Sequence, residues 1–168
     1  FFTSDAADAV TEALSLGNGS MARFIMDAWP MSVDFLVTGN STACNALHSV
    51  ARRVGRGSVQ DQDLLHAGRT LLTAALRHYG PCGVPQWLRM SCQDYLGRSV
   101  LHYAVCASDP SFARLLIRLG AGVNDLDDEG ASPLCMAVAE RGSRSCLETL
   151  LLAGADVKVR DARGRVPL

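Results

Sequence analysis

Three stretches of this chain repeat one another in register. From Asp94 it reads DYLGRSVLHYAV, from Asp127 DDEGASPLCMAV, and from Asp161 DARGRVPL. Gly97, Gly130 and Gly164 fall at steps of 33 and 34, and Leu101, Leu134 and Leu168 keep the same steps. Gly120-Ala121 recurs as Gly154-Ala155, with Val123 recurring as Val157. A period of this length means one small supersecondary unit used several times, and such a unit buries its apolar face only by stacking on its neighbours.

Each recurring position has a physical task. Asp94, Asp127 and Asp161 are placed to close a turn by accepting from the backbone two residues on. The glycine three residues later supplies a positive φ that a Cβ opposes. Ser99 and Ser132 are expected N-caps, and Pro133 suits the first helical position, where no N–H is needed. A short helix follows, LHYAV or LCMAV, with Ala104 and Ala137 leaving room for a neighbour. Phe112, Leu115, Leu116 and Leu119 then mark the apolar face of a second helix, as do Cys146, Leu147, Leu150 and Leu151 one unit later. Gly120 and Gly154 are expected to stop these helices.

These motifs resemble the ankyrin repeat family. Its T-P-L-H pattern is matched by Ser99-Val100-Leu101-His102, Ser132-Pro133-Leu134-Cys135 and Val166-Pro167-Leu168. Its G-A-x-V-N pattern is matched by residues 120–124 and 154–158. The resemblance implies an all-α fold, an α-solenoid of helix–turn–helix units joined by hairpin-like loops. It also gives His48 and His102 a structural role, bonding toward the capping residue and nearby loop backbone.

Upstream the pattern is looser. Asn45-Ala46-Leu47-His48 resembles the helix-opening motif, with Asn45 as cap. Leu47 and Leu101 are 54 residues apart, 21 more than one repeat. The extra residues are assigned to an inter-helix insertion at 54–60 and to a long loop, GPCGVPQWLRMSCQD, after a second helix over 61–78. Gly17-Asn18 resembles an inter-helix turn. Val10, Ala13 and Leu14 lie on the helix before it, and Met21, Phe24, Ile25 and Ala28 on the helix after it, capped by Ser20. The expected division is a degenerate repeat or helical cap over 1–43, a repeat with the insertion over 44–97, repeats over 98–130 and 131–164, and the start of another at 165–168. The array is expected to continue past Leu168.

Composition narrows function. Net charge is −1 and the chain carries 15 Arg but one Lys, Lys158, so nothing draws nucleic acid or anionic lipid from a distance. Apolar residues make up 48%, yet no stretch is long enough to span a membrane. The six Cys form no CxxC pair, which suits reduced thiols in an intracellular, cytoplasmic protein. His78, Cys82 and Cys92 are close in sequence, but their spacing fits no zinc finger or ribbon. No nucleophile, phosphate-loop or metalloprotease motif occurs. No catalytic residue, metal site or cofactor is therefore expected.

The expected role is non-catalytic protein binding through the loop tips and the concave inner-helix face. Tyr95, Arg98, Asp125, Leu126, Asp128, Glu129, Arg160 and Arg163 are the candidate contact residues, with Tyr103 and Met136 on the inner face. The expected partner is another protein or another domain of the same chain, with no nucleic acid and no membrane insertion. Two alternatives remain. One is a regulatory or scaffolding segment of a larger enzyme or channel. The other is a subunit buried in an assembly, which exposed Trp29, Trp87 and Phe1-Phe2 would support.

Overall fold

A computed structural model describes residues 2–30, 33–34, 36, 41–54, 61–90, 93–106, 110–164 and 166–167, with the side chains of 2–4, 41–45, 61 and 89–90 left aside. The named helices are α1 (Phe2–Leu16), α2 (Gly19–Ala28), α3 (Ser41–Arg53), α4 (Asp61–Met90), α5 (Val100–Ala104), α6 (Ser111–Arg118), α7 (Pro133–Ala139) and α8 (Arg144–Leu152). They stack in two layers. One runs α1, α3, α5, α7, each against the next; in the other, α2 packs on α4 and α6 on α8. Within each unit the two helices also meet, so the layers share one apolar seam.

The downstream units follow the sequence pattern closely. Ser132 Oγ accepts from Cys135 N at 3.3 Å, with Pro133 in the first turn of α7. Phe112, Leu116, Cys146 and Leu150 are buried. Gly97, Gly130 and Gly164 have φ of 69°, 73° and 74°. Leu151, grouped with the buried face by its sequence spacing, is instead exposed. It follows the buried Leu150 by one residue, 100° further round α8, on the side that meets no neighbouring helix.

The upstream half corrects four expectations. First, α3 begins at Ser41, so Asn45 lies inside the helix and does not cap it. Nothing in STACN breaks a helix, and the helix runs one turn further back. Second, the cap of α2 is Asn18, whose Oδ1 accepts from Met21 N at 3.0 Å. Ser20 turns away and donates to Asp63 Oδ2 at 2.6 Å. Third, the buried face of α2 is Ala22, Ile25 and Met26, while Met21, Phe24 and Ala28 are exposed. Ile25 is shared by both faces, so the shift is a rotation of the helix about its axis.

The fourth correction is the largest. The expected loop after residue 78 is a helix. Gly80 adopts φ 71°, ψ 172°, breaking α4, and the helix then resumes through residue 90. Pro81 is the first residue after the break, where a missing N–H costs least, and Pro85 lies one turn further in. Val84, Trp87 and Leu88 form its buried face, with the Trp87 ring stacked on Tyr79 at 5.7 Å. Trp87 is therefore core, against its expected exposure in an assembly subunit; Trp29 is exposed. Of the expected insertion at 54–60 only Val54 is described, and residues 55–60, Phe1, Cys92 and Leu168 lie outside the described residues.

Leu134 is 1% exposed at the centre of the last stacked interface. Leu134→Ala is expected to lower unfolding free energy by about 2–5 kcal/mol in urea titration.

Candidate interaction surface

The fingers between units are built by carboxylates. Asp94 Oδ1 accepts from Leu96 N at 2.9 Å and Arg98 N at 3.0 Å. Asp127 Oδ1 repeats this with Glu129 N at 2.9 Å and Ala131 N at 2.8 Å, and Asp161 Oδ1 accepts from Arg163 N at 2.9 Å. The turn function read from sequence is thus the observed one, with a second backbone bond four residues on in the first two fingers. The fingers are also laced together. Asp128 N donates to Leu96 O at 3.0 Å, and Ala162 N to Glu129 O at 2.7 Å.

Buried histidines tie fingers to helices. Ser99 N donates to His102 Nδ1 at 3.0 Å, so Nε2 carries the proton and donates to Ala131 O at 3.1 Å. His48 Nε2 reaches Arg98 O at 3.0 Å in the same manner. Both are structural links to the next finger. At the third such position Cys135 stays beside Ser132 Oγ at 3.4 Å.

A polar cluster beneath the first finger was not visible in the sequence. Tyr103 Oη donates to Asp94 Oδ2 at 2.5 Å, Arg52 Nη2 donates to Tyr103 Oη at 2.9 Å, and the Arg52 guanidinium lies 4.4 Å over the Tyr103 ring. Tyr103, a candidate inner-face contact, is buried here. Burial alone would raise the Asp94 carboxyl, but the bonds from Tyr103, Leu96 and Arg98 outweigh it and hold the group below its usual range. Arg52 and Tyr103 are 51 residues apart, so no local pattern announces their pairing.

The candidate contact residues divide into two sets. Tyr95 is 83% exposed and Leu126 49% exposed, and Asp128, Glu129, Arg160 and Arg163 are also exposed. Leu126 therefore does not fold back fully onto the neighbouring finger. Arg98 is braced, its Nε on Asp127 Oδ2 at 3.2 Å, and Asp125 is half-buried against Gly122. Met136 is half-buried. Gly97 is fixed doubly: its φ is positive, and a Cβ there would lie 2.4 Å from Asp128 Oδ1.

Among the described residues no group of three His, Cys, Asp or Glu could hold a metal. His78 and Cys82 are both exposed at the break in α4. Cys82, Cys106, Cys135 and Cys146 form no disulfide, and burial pushes the Cys106 thiol up to about 11. No helix among the described residues is long and apolar enough to cross a membrane.

Comparison with known proteins agrees with this architecture. A family model for ankyrin repeats, in three copies, matches residues 39–161. Ankyrin repeat and SOCS box protein 6 of Mus musculus is 39% identical over 71 residues, 42% of this chain and 17% of that protein. E3 ubiquitin-protein ligase KEG of Arabidopsis thaliana is 35% identical over 68 residues, 40% of this chain and 4% of that protein. Transient receptor potential cation channel subfamily A member 1 of Drosophila melanogaster is 35% identical over 78 residues, 46% of this chain and 6% of that protein. The chain thus spans a small part of each of these relatives.

His102 gives a pH prediction. Burial lowers its pKa from the ordinary 6.5, so the folded chain holds it neutral. Above pH 6.5 neither state is protonated and the contribution is complete. As pH falls through that value the unfolded chain takes up a proton that the folded chain refuses, and stability drops until the folded pKa is reached. Urea midpoints measured between about pH 7 and pH 5 are expected to fall for the natural chain. His102→Gln is expected to be less stable at neutral pH but to show a flatter profile.

Proposed function

The chain belongs to the ankyrin repeat family, and from that premise we propose that it is a non-catalytic binding module whose partner is another protein, held by the finger tips. The family's general role is protein interaction. The observation that carries the finer reading is the contrast within each finger. Asp94, Asp127 and Asp161 bond the backbone and the histidines anchor the base, so most side chains at the tip are released from structural duty; Arg160 is the exception, its Nη1 donating to Gly164 O at 3.0 Å. Tyr95 is the clearest of them, an aromatic residue standing in solvent at 83% exposure. Aromatic and arginine side chains supply most of the binding energy at protein interfaces. Tyr95, Leu126, Asp128, Glu129, Arg160 and Arg163 form the proposed contact row, with Arg98 and Asp125 holding its shape from behind.

The tips differ in charge, from mixed through acidic at Asp128 and Glu129 to basic at Arg160 and Arg163, so an extended partner with graded charge fits the row best. Free thiols support a reducing, intracellular setting. The proposed division into units stands beside this: residues 44–97, 98–130 and 131–164 as repeats, and 1–43 as a degenerate repeat or helical cap that the family match largely omits.

A second reading draws on the relatives. Their printed names include a ubiquitin ligase and a cation channel, and the chain matches only a small part of each. The module would then regulate or organise a larger chain, binding another domain of it.

Two measurements test the contact row. Asp128→Lys is expected to leave stability within about 0.5 kcal/mol, as exposed substitutions do. A variant with Tyr95, Leu126, Asp128 and Arg160 all changed to Ala is expected to keep its circular dichroism and to lose the protein captured by the natural chain from source lysate. Equal capture by both chains rejects the tip surface.

A further inference from the structure

The outer helix layer carries a groove that none of the finger residues lines. It lies between α4 and α6 and encloses about 460 Å³. The two helices touch where Phe112 Cε2 would lie 2.9 Å from a Cβ on Gly68, and the groove opens beside that contact. Its α4 wall presents Arg69, Leu72 and Leu76, and its α6 wall presents Arg114, Leu115 and Arg118. On α4 the steps are three, four and seven residues, a single helix face; on α6 Arg118 lies four residues from Arg114 and three from Leu115.

Two properties of the groove point the same way. Its floor is aliphatic: Leu72 is buried, Leu115 is half-buried, and Leu76 is partly open to solvent. Its rim is cationic, with no carboxylate among the described residues that line it. Arg114 is held by one edge, Nε on Thr149 Oγ1 at 3.3 Å. Arg69 and Arg118 make no ion pair or side-chain hydrogen bond among the described residues, although the chain as a whole is slightly acidic and pairs Arg52, Arg77, Arg98 and Arg144 with carboxylates. Arginines left unpaired around leucines fit a ligand that supplies both missing components, carboxylates and apolar anchors.

We propose that the α4–α6 groove is a second docking site, and that its occupant is an acidic peptide segment presenting leucine-type side chains between carboxylates. The aliphatic floor takes the anchors, and Arg69, Arg114 and Arg118 pair with the acidic positions, Arg being the cation whose planar fork matches a carboxylate. Helix-lined grooves with an apolar floor are a general mode of peptide recognition. A polyanion such as RNA is disfavoured, because it offers no aliphatic anchor and the net charge of −1 gives no long-range attraction.

The test is selection from a random displayed-peptide library on the 168-residue chain, followed by fluorescence titration of the enriched peptides. Acidic sequences with spaced leucines are expected to enrich. Their binding is expected to weaken by about tenfold or more with Arg69→Glu plus Arg118→Glu, to weaken with added salt, and to be unaffected by Asp128→Lys. Arg69→Gln plus Arg118→Gln, milder for the fold, is expected to give an intermediate loss. Enrichment of sequences without acidic residues overturns the proposal. So does the absence of enrichment, equal binding by the charge-reversed variant with unchanged circular dichroism, or equal displacement of the peptide by an oligonucleotide lacking apolar groups. Loss with Asp128→Lys instead would assign the peptides to the finger tips, so the failure of one site is distinguishable from that of the other.

Discussion

No helix pair in this chain has enough apolar surface to close over itself, and every larger feature follows from how neighbouring pairs close over one another. Leu101, Leu134, Phe112, Leu116 and Leu150 are essentially inaccessible, and each lies on a helix that packs against the other helix of its own unit and against one of an adjacent unit. Burying such a side chain is worth about 1.5–3 kcal/mol, but only while the neighbour is in place. Stability is therefore collective, and the spacing of the units is fixed by packing before any polar bond is made.

Polar bonds then convert a stack into a surface with defined geometry. Fingers of this kind have too few side chains to form a core of their own. Asp94 and Asp127 instead satisfy two backbone N–H groups each, and His48 and His102 donate to a carbonyl at the base of the following finger. A buried imidazole serves well here because one nitrogen accepts while the other donates, so a single side chain bridges two units. The consequence for function is a division of labour. Asp94 and Asp127, which shape their fingers, are largely withdrawn from solvent, while Tyr95 and Leu126 at the tips stand open to it.

The upstream half shows how such a frame absorbs irregularity. α4 continues past a Gly80 break into a second segment whose Val84, Trp87 and Leu88 face inward. Glycine, two prolines and a cysteine in ten residues look like loop chemistry, and in isolation they are. Packing of Trp87 on Tyr79 and burial of the aliphatic pair supply what local propensity lacks. Beside this extended element α4 and α6 leave a leucine-floored groove rimmed by arginines.

The sequence by itself determined the repeat period, the short helices with their serine caps and Pro133, the glycine turns, and the role of Asp94, Asp127 and Asp161. All of these act over a few residues or recur at a fixed step, so the pattern is written locally. Tertiary structure alone decided which face of α2 is buried, that Asn18 and not Ser20 caps it, that residues 81–90 are helical, and that Leu151 is exposed. It also decided that Tyr103 and Arg52 meet over Asp94, and that Arg98 reaches Asp127. Each of these turns on partners 29 or more residues away, or on the presence of a neighbouring helix. Burial and long-range pairing are properties of the assembled stack, and a local stretch of residues carries no record of what will be packed against it.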